Sequence, residues 1–525
     1  MEYNTIVKKI TPHTLRAAYL YPSIYEAMLS SLVTHIIYFM VNEYFPEIFL
    51  ERFCMKKLKG AEPPPRSIDT QSPLKDFDLI ITSLHYEPDI ASIIRILYAA
   101  GLDPLRKRRE KTILAGGPAV MANPHPYTEF IDAFIIGDAE QSIQEIINIW
   151  IQYHDSKKLF LEEISQLEYV YVPSINDGEK IYRKPVQDLN NTYYPIKQIQ
   201  NTEKEPIYGK GLLLETSRGC KYWCRFCMET RIMKPYRYRS FQQLKNIVEK
   251  GIEVNKVDRT IIYSLSFLEN HEEQKLLDYL IENNLSASLP SLRINKLSED
   301  ILEKIKLLGQ KTLTLAPENF SYHVQRIISK YLKIDELIPI IYCVLNKGFN
   351  LKLYIISGFK GENKEDIDIT IEKIKKIAEH ARKKGRKLSI TINPLIPKPK
   401  TVFQWIGMID LDKARKIINY YRKMLRGLVD TRPYYVNWAW VQASISLADK
   451  TISRVLLDWA LRGGDLGSWR RALRENNYST EYVFKGYRFG EELPWDNIVL
   501  GYGVEDVLEK EYLMYEVLSR KSSYS

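Results

Sequence analysis

Three of the five cysteines, Cys220, Cys224 and Cys227, fall within eight residues in the order Cys-x3-Cys-x2-Cys. A trio so crowded cannot act as a disulfide framework for 525 residues, and soft thiolates in such a group select zinc or an iron–sulfur cluster. Structural zinc takes four ligands, commonly from two Cys-x2-Cys pairs. A fourth ligand is missing nearby, because Cys54 and Cys343 lie far away in the sequence. Three cysteines on four irons leave one iron open, which is a catalytic arrangement.

Such a loop needs a rigid platform, and the residues before it supply one. The run 212–216 is short, apolar and strand-like, and the chain around it alternates similar runs with amphipathic stretches. Strands are expected at 212–216, 259–267, 286–294, 312–316, 351–357 and 388–392, with helices such as 299–308 and 364–384 between them. Six strands with six helices describe a partial (β/α)6 TIM-type barrel over 206–410, with reactive residues at strand C-terminal ends.

Residues 12–150 read as a Rossmann-like α/β domain. Its first strand, 15–20, is followed by a turn at Tyr21-Pro22-Ser23 and a helix to Val41. Further strands are expected at 77–82, 112–115 (ending in Gly116-Gly117-Pro118) and 130–136 (ending in Gly137-Asp138). The basic, Pro-rich segment 56–73 reads as an exposed loop. Residues 151–205 form a connector in which Asn176-Asp177-Gly178 signals a hairpin between 169–173 and 180–184. Residues 411–525 read as a mainly helical C-terminal region.

Hydrophobic residues at 45% and charged residues at 27% exclude disordered, collagen-like and disulfide-scaffold classes. The most apolar early stretch, 29–41, falls short of the roughly 20 residues a spanning helix needs. No basic leader with a cleavage site opens the chain, so the expected location is cytoplasmic. The net charge of +10 suits anionic partners without choosing among them. Of the basic runs, Arg106-Lys-Arg-Arg109 and Arg382-Lys-Lys-Gly-Arg-Lys387 read as solvated, whereas Lys234-Pro-Tyr-Arg-Tyr-Arg239 interleaves tyrosine and arginine near the cysteines and suits stacked bases or anionic headgroups. No added RNA-binding domain or basic tail gives a strong nucleic-acid signal.

The phrase Glu215-Thr-Ser-Arg-Gly-Cys220, with Cys224-Arg-Phe-Cys227, resembles the radical S-adenosylmethionine (SAM) superfamily. The resemblance implies that the three thiolates hold a [4Fe–4S] cluster and that SAM chelates the fourth iron through its amino and carboxylate groups. One electron would then cleave the sulfonium to methionine and a 5′-deoxyadenosyl radical that abstracts hydrogen from substrate. It places Phe226 near SAM, though core filling explains that residue equally well. Thr314-Leu-Ala-Pro-Glu318 resembles the fourth-strand end, where an acidic residue contacts SAM; the plain alternative for Glu318 is a surface residue at a helix start. Family members often continue with Ser and then Arg four residues on, whereas here Ser321 is followed by Gln325, with Arg326 one place late. The segment from Tyr354 to Glu362 resembles the part of the fifth strand near adenine, with Gly358 either beside the cofactor or simply in a tight turn. Residues 392–405 resemble the sixth strand and its loop. Where many members have a Gly-Gly-Glu-like turn gripping the SAM amino group, Ser264 and Ser266 are the polar groups available.

Residues 12–150 resemble the cobalamin (B12)-binding-like domain of one branch of that superfamily, on Ser83-Leu-His-Tyr-Glu87, Ala115-Gly-Gly-Pro118, Asn123-Pro124 and Ile136-Gly-Asp-Ala-Glu140. The Asp-x-His-x-x-Gly lower-ligand motif is absent, which favours a retained fold and leaves cobalamin an open cofactor. Arg462-Gly-Gly-Asp465 and Leu493-Pro-Trp-Asp496 resemble C-terminal segments of the same branch.

A composition rich in Ile, Lys and Tyr (36 Tyr against 17 Phe) is similar to that of thermoacidophilic archaeal proteins. With this layout the chain resembles the ring synthases that close cyclopentane rings in archaeal tetraether membrane lipids. That resemblance implies a hydrophobic lipid substrate, peripheral contact at the inner face of the membrane, and a reductant such as ferredoxin or flavodoxin. The alternatives are a cobalamin-dependent radical SAM methyltransferase, an RNA or protein modification enzyme, and a non-catalytic scaffold. Methylthiolating relatives usually carry three more cysteines for an additional cluster, which this chain lacks.

Overall fold

In the computed structural model, which describes residues 1–57 and 60–520, the first apolar runs pair into a six-stranded sheet. Its order is Ile48–Met55, Leu15–Ile24, Leu79–Ser83, Thr112–Gly116, Ala133–Ile135 and Val170–Tyr171. All neighbours are parallel except the last pair. Strands covered on both faces read as unbroken apolar runs, which is why Leu79–Ser83 is buried throughout. Alternate residues serve the two faces. Ala17, Tyr19 and Ile81 pack with Met40 and Ile143 from helices Leu32–Tyr44 and Ala139–Tyr153. Ala18, Leu20 and Ile80 pack with Ile93 of helix Asp89–Ala99 and with Leu456 of the C-terminal helix Ser453–Leu461.

Several expectations need correction here. The expected turn Tyr21-Pro22-Ser23 lies inside the first strand, which runs on to Ile24 across a register shift between Tyr21 and Ile24. Pairing with Leu79–Ser83 has ended by Leu20, so Pro22 deprives no neighbour on that side of a donor. Strand Ile48–Met55 escaped the sequence reading because Glu51 and Arg52 interrupt its apolar run, yet both are buried. Arg52 is held by Asp69 at 2.7 Å and Glu2 at 2.8 Å, so segment 56–73 is partly anchored rather than wholly exposed. The hairpin is also absent as a ladder. Val170–Tyr171 pairs with Phe134 and Ile135, whereas Ile181–Tyr182 pairs in parallel with Ile498–Val499. Asn176 closes the loop between them through Val172 N at 2.7 Å and the Val170 carbonyl at 3.0 Å.

The second series forms a partial barrel of parallel strands. Leu212–Glu215, Arg259–Tyr263 and Ser286–Ser288 make one sheet; Thr312–Glu318, Asn350–Ser357, Leu388–Pro394 and Asp430–Pro433 make the next. A parallel bridge from Leu292 to Leu315 joins them. The short, charged strand Asp430–Pro433 carries no apolar signature and was not anticipated. One apolar core lies between these strands and outer helices such as Phe241–Asn255 and Lys364–Lys383.

The remaining chain is mainly helical, and residues 521–525 of that region lie outside the described residues. Trp459 packs between Trp438 and Trp469 at 6.4 and 5.1 Å, and this aromatic group joins the core on the face of the first sheet that carries helix Asp89–Ala99. Asp465 caps helix Leu466–Glu475 in a capping box with Ser468, and Trp495 Nε1 donates to Gln404 at 3.0 Å. Glu87, buried between the first sheet and the barrel, pairs with Lys398 and accepts from Gln442 Nε2 at 2.9 Å and Ser446 Oγ at 3.0 Å. The C-terminal ends of the two sheets thereby face each other. Among the described residues no helix is long and apolar enough to cross a membrane.

Candidate functional site

The cysteine loop begins where strand Leu212–Glu215 ends. Ser217–Arg218 pairs antiparallel with Arg237–Tyr238 and pins the base of the loop. Gly219 sits at φ +83°, and a Cβ there would meet Met233 O at 2.5 Å, so only glycine fits. Lys234 Nζ donates to Cys220 O at 2.6 Å, and Cys227 N to Cys224 O at 3.0 Å. Arg225 ties the loop to helix Tyr322–Ile327 by donating to the carbonyls of Arg326 at 2.6 Å and Ile327 at 2.9 Å. Cys220 and Cys224 are buried and Cys227 is half-buried. Burial pushes the Cys224 thiol up and the Cys227 thiol up to about 12, with the neighbouring Cys224 adding to the latter. Among the described residues no three or more His, Cys, Asp or Glu side chains stand in a metal-binding array, and sharing a cluster would require the three thiols to converge. The donor set fits one: three soft sulfurs on a single buried loop, with cationic Lys330 and Arg293 near Cys224.

The other candidates divide by surroundings. Phe226 packs against the apolar group containing Val324, Ile327 and Phe359. Glu318 ends its strand at φ +64°, just after a register shift, and its Oε1 lies 3.0 Å from Lys330 Nζ. It is therefore a buried ion-pair member, not a surface residue. Arg326 stacks its guanidinium 5.9 Å from the Tyr322 ring centroid and engages the cysteine loop through its carbonyl. Gln325 is buried, holding Asn319 O at 2.9 Å and Leu332 N at 3.1 Å. Ser264 Oγ lies 2.7 Å from Ser217 Oγ and accepts Ser266 N at 3.1 Å. Ser266 Oγ is buried without a hydrogen-bond partner among the described residues. Gly358, at φ +90°, donates its N–H to Glu362 Oε2 at 2.5 Å. Glu362 also accepts Ser357 Oγ at 2.8 Å and Asn319 Nδ2 at 3.0 Å, and burial pushes its carboxyl up to about 7.

A cavity of about 550 Å³ occupies the space between the two sets of strand ends. Its wall is largely aliphatic, with Leu32, Ile36, Ile37, Ile81, Ile135 and Ile143 from the first domain. Ser217, Tyr263, Ser264 and Leu265 enter from the barrel. Gly117, at φ +104°, borders it where a Cβ would meet Leu84 O at 2.7 Å. His85 presents its ring to the cavity, with Nε2 3.0 Å from Ser83 Oγ, and the protein around it lowers its pKa. Glu229 lines the same space; burial pushes it up to about 7, with Lys398 opposing. Arg218 is held by Glu140 at 2.6 Å and Glu215 at 2.9 Å. His85, Glu229 and Glu362 were not singled out individually from the sequence. Glu229, two residues past the last cysteine, carried the best signal.

In the basic run 234–239, expected to suit stacked bases or anionic headgroups, Tyr238 is exposed but the cations are buried. Arg237 reaches Asp138 at 2.6 Å and Arg239 reaches Glu215 at 3.1 Å, both buried, so these cations fasten the cysteine loop rather than offer a surface to bases or headgroups. Arg109 is likewise internal, paired with Asp132 at 3.0 Å.

Comparison with known proteins agrees with this geometry. The family model described as Radical SAM superfamily matches residues 214–374, and that described as Radical SAM proteins, N-terminal, matches 33–173. Uncharacterized protein MJ0966 of Methanocaldococcus jannaschii is 30% identical over 489 residues, covering 92% of this chain and 98% of that protein. Uncharacterized methyltransferase PH0819 of Pyrococcus horikoshii is 24% identical over 293 residues, covering 50% and 58%. In fold, the chain is similar to the radical SAM methyltransferase TsrM of Kitasatospora setae, solved with cobalamin and a [4Fe–4S] cluster bound. The TM-score is 0.51 at 11% identity, over 73% of this chain and 72% of that one. Matched over the cysteine loop and along the domain before it, the chain belongs to the radical SAM superfamily, whose enzymes work with a [4Fe–4S] cluster, SAM and a reductant.

Proposed function

We propose that this radical SAM enzyme abstracts hydrogen from an unactivated carbon of a hydrophobic substrate held in the cavity between the two sheets. The observation that carries the reading is the aliphatic wall of that cavity, which reaches Ser217 and Ser264 beside the cysteine loop. Cys220, Cys224 and Cys227 would hold the cluster. What a bound cluster supplies is one electron to the SAM sulfonium, enough to release the 5′-deoxyadenosyl radical. Glu318, Ser264, Ser266, Gly358 and Phe226 would line SAM, Arg326 taking part through its backbone. The unpartnered Ser266 Oγ supports that placement, since buried hydroxyls normally find a partner.

The substrate we infer is a saturated chain of an archaeal membrane lipid: two of its C–H bonds would break, each hydrogen atom going to a 5′-deoxyadenosyl radical, and the two carbons would join into a cyclopentane ring. A saturated chain offers neither an acidic proton nor a leaving group, so acid–base catalysis cannot begin the reaction and a carbon-centred radical can. A cavity whose wall is mostly aliphatic suits such a substrate. Access to it implies peripheral contact at the inner membrane face, and the electron donor we infer is a ferredoxin or flavodoxin. Lipid extracts from the host with and without the gene test this: fewer rings without it support the reading, and unchanged ring counts refute it.

A second reading, cobalamin-dependent methyl transfer, is favoured by the cavity's position at the carboxyl ends of the first sheet, where Gly117 opens the wall and His85 faces in. Purified protein that binds hydroxocobalamin stoichiometrically, with a shifted visible spectrum, would support it. Full turnover without a corrinoid would remove it.

A further inference from the structure

Arg231 stands in the short helix Glu229–Ile232, four residues past Cys227, and its side chain is fully buried. Its Nε, Nη1 and Nη2 all lack a hydrogen-bond partner among the described residues. By contrast, Arg225 donates to two carbonyls and pairs with Glu511, Arg237 pairs with Asp138 and Arg239 with Glu215. The Trp223 ring, 5.6 Å from the guanidinium to its centroid, contributes a weak cation–π contact. The charged and titratable groups facing Arg231 include Cys224 and Cys227 on its own loop, the cations Arg225 and Lys234, and Glu511 from helix Val504–Arg520. Glu511 is already claimed by Arg225. A buried cation with no partner is costly and rare in folded proteins, so an anion belongs there.

Neutral thiols do not supply that charge. Three thiolates on a [4Fe–4S]²⁺ core do: the assembly carries a formal −1, and −2 after accepting one electron. We propose that Arg231 is the counter-charge of the cluster, a positioning residue that favours its reduced, more anionic form. The inference rests on the assignment of the cluster to Cys220, Cys224 and Cys227. Replacing Arg231 by a neutral side chain disfavours the −2 state more than the −1 state, and so makes the centre harder to reduce.

The test uses the full-length protein reconstituted anaerobically, without SAM, as wild type, Arg231→Gln and Arg231→Lys, with iron and sulfide analysis and a redox titration followed by electron paramagnetic resonance. Arg231→Gln should lower the one-electron reduction constant about tenfold, a midpoint about 59 mV more negative, while Arg231→Lys stays near wild type. Retention of the cluster by wild type and Arg231→Lys but not by Arg231→Gln also supports the role. Equal midpoints in all three proteins, equal losses in both variants, or a shift seen only after SAM is added would overturn it. Wild-type protein that takes up no iron–sulfur centre would instead refute the cluster assignment itself.

Discussion

Lys330 Nζ lies 3.0 Å from Glu318 Oε1, both side chains buried beside the cysteine loop, and Glu318 holds a left-handed backbone to reach it. Removing one partner of such a pair leaves the other charged and unpaired at a cost of about 3 kcal/mol or more. Lys330→Met should therefore lower stability by that order, and Lys330→Met combined with Glu318→Gln should recover most of it. Urea titrations of the single and double variants check the coupling.

Gly117 is the backbone position that keeps the cavity wall open. At φ +104°, with Leu84 O 2.7 Å from the place of a Cβ, Gly117→Ala must shift the strand end. A loss of about 1–3 kcal/mol is expected, read from denaturant unfolding.

The half-buried Glu362 ties stability to pH. Its carboxyl is raised from 4.5 to about 7, so between those values the folded protein keeps a proton that the unfolded chain releases. Stability from this group is highest below about 4.5 and declines as pH rises through the window, by about 3 kcal/mol in all. Glu362→Gln has no proton to lose. Its stability relative to wild type should improve by that amount between pH 4 and pH 8, measured by thermal melts across the range.

Leu265 lines the cavity from the barrel side and is 47% exposed, so a larger side chain there enters open space rather than core. Leu265→Trp should reduce lipid ring counts severalfold in a complemented deletion host while leaving the iron content of the purified protein unchanged. Undiminished ring counts would place the substrate elsewhere.

Much of this architecture was legible because apolar runs mark strands covered on both faces. Leu212–Glu215, Thr112–Gly116 and Asn350–Ser357 lie where their composition puts them. Ile48–Met55 did not read as a strand because Glu51 and Arg52 look like solvent-facing charges, and only distant partners such as Asp69, Glu2 and Arg16 make their burial possible. The cysteine spacing announced its chemistry, since ligand type and interval are both local. The burial of Arg231, Arg237 and Arg239 did not, because local sequence reads arginine as surface. The cavity was equally hidden: Ile81 and Tyr263 lie far apart in the chain and meet only once both sheets have formed.

The central claim is that the buried trio of thiols carries a cluster able to split SAM. Protein reconstituted anaerobically with iron and sulfide, then given dithionite and SAM, should release 5′-deoxyadenosine, and Cys224→Ala should release none while Cys54→Ala releases as much as wild type. No 5′-deoxyadenosine from wild-type protein, or undiminished release by Cys224→Ala, would contradict the account.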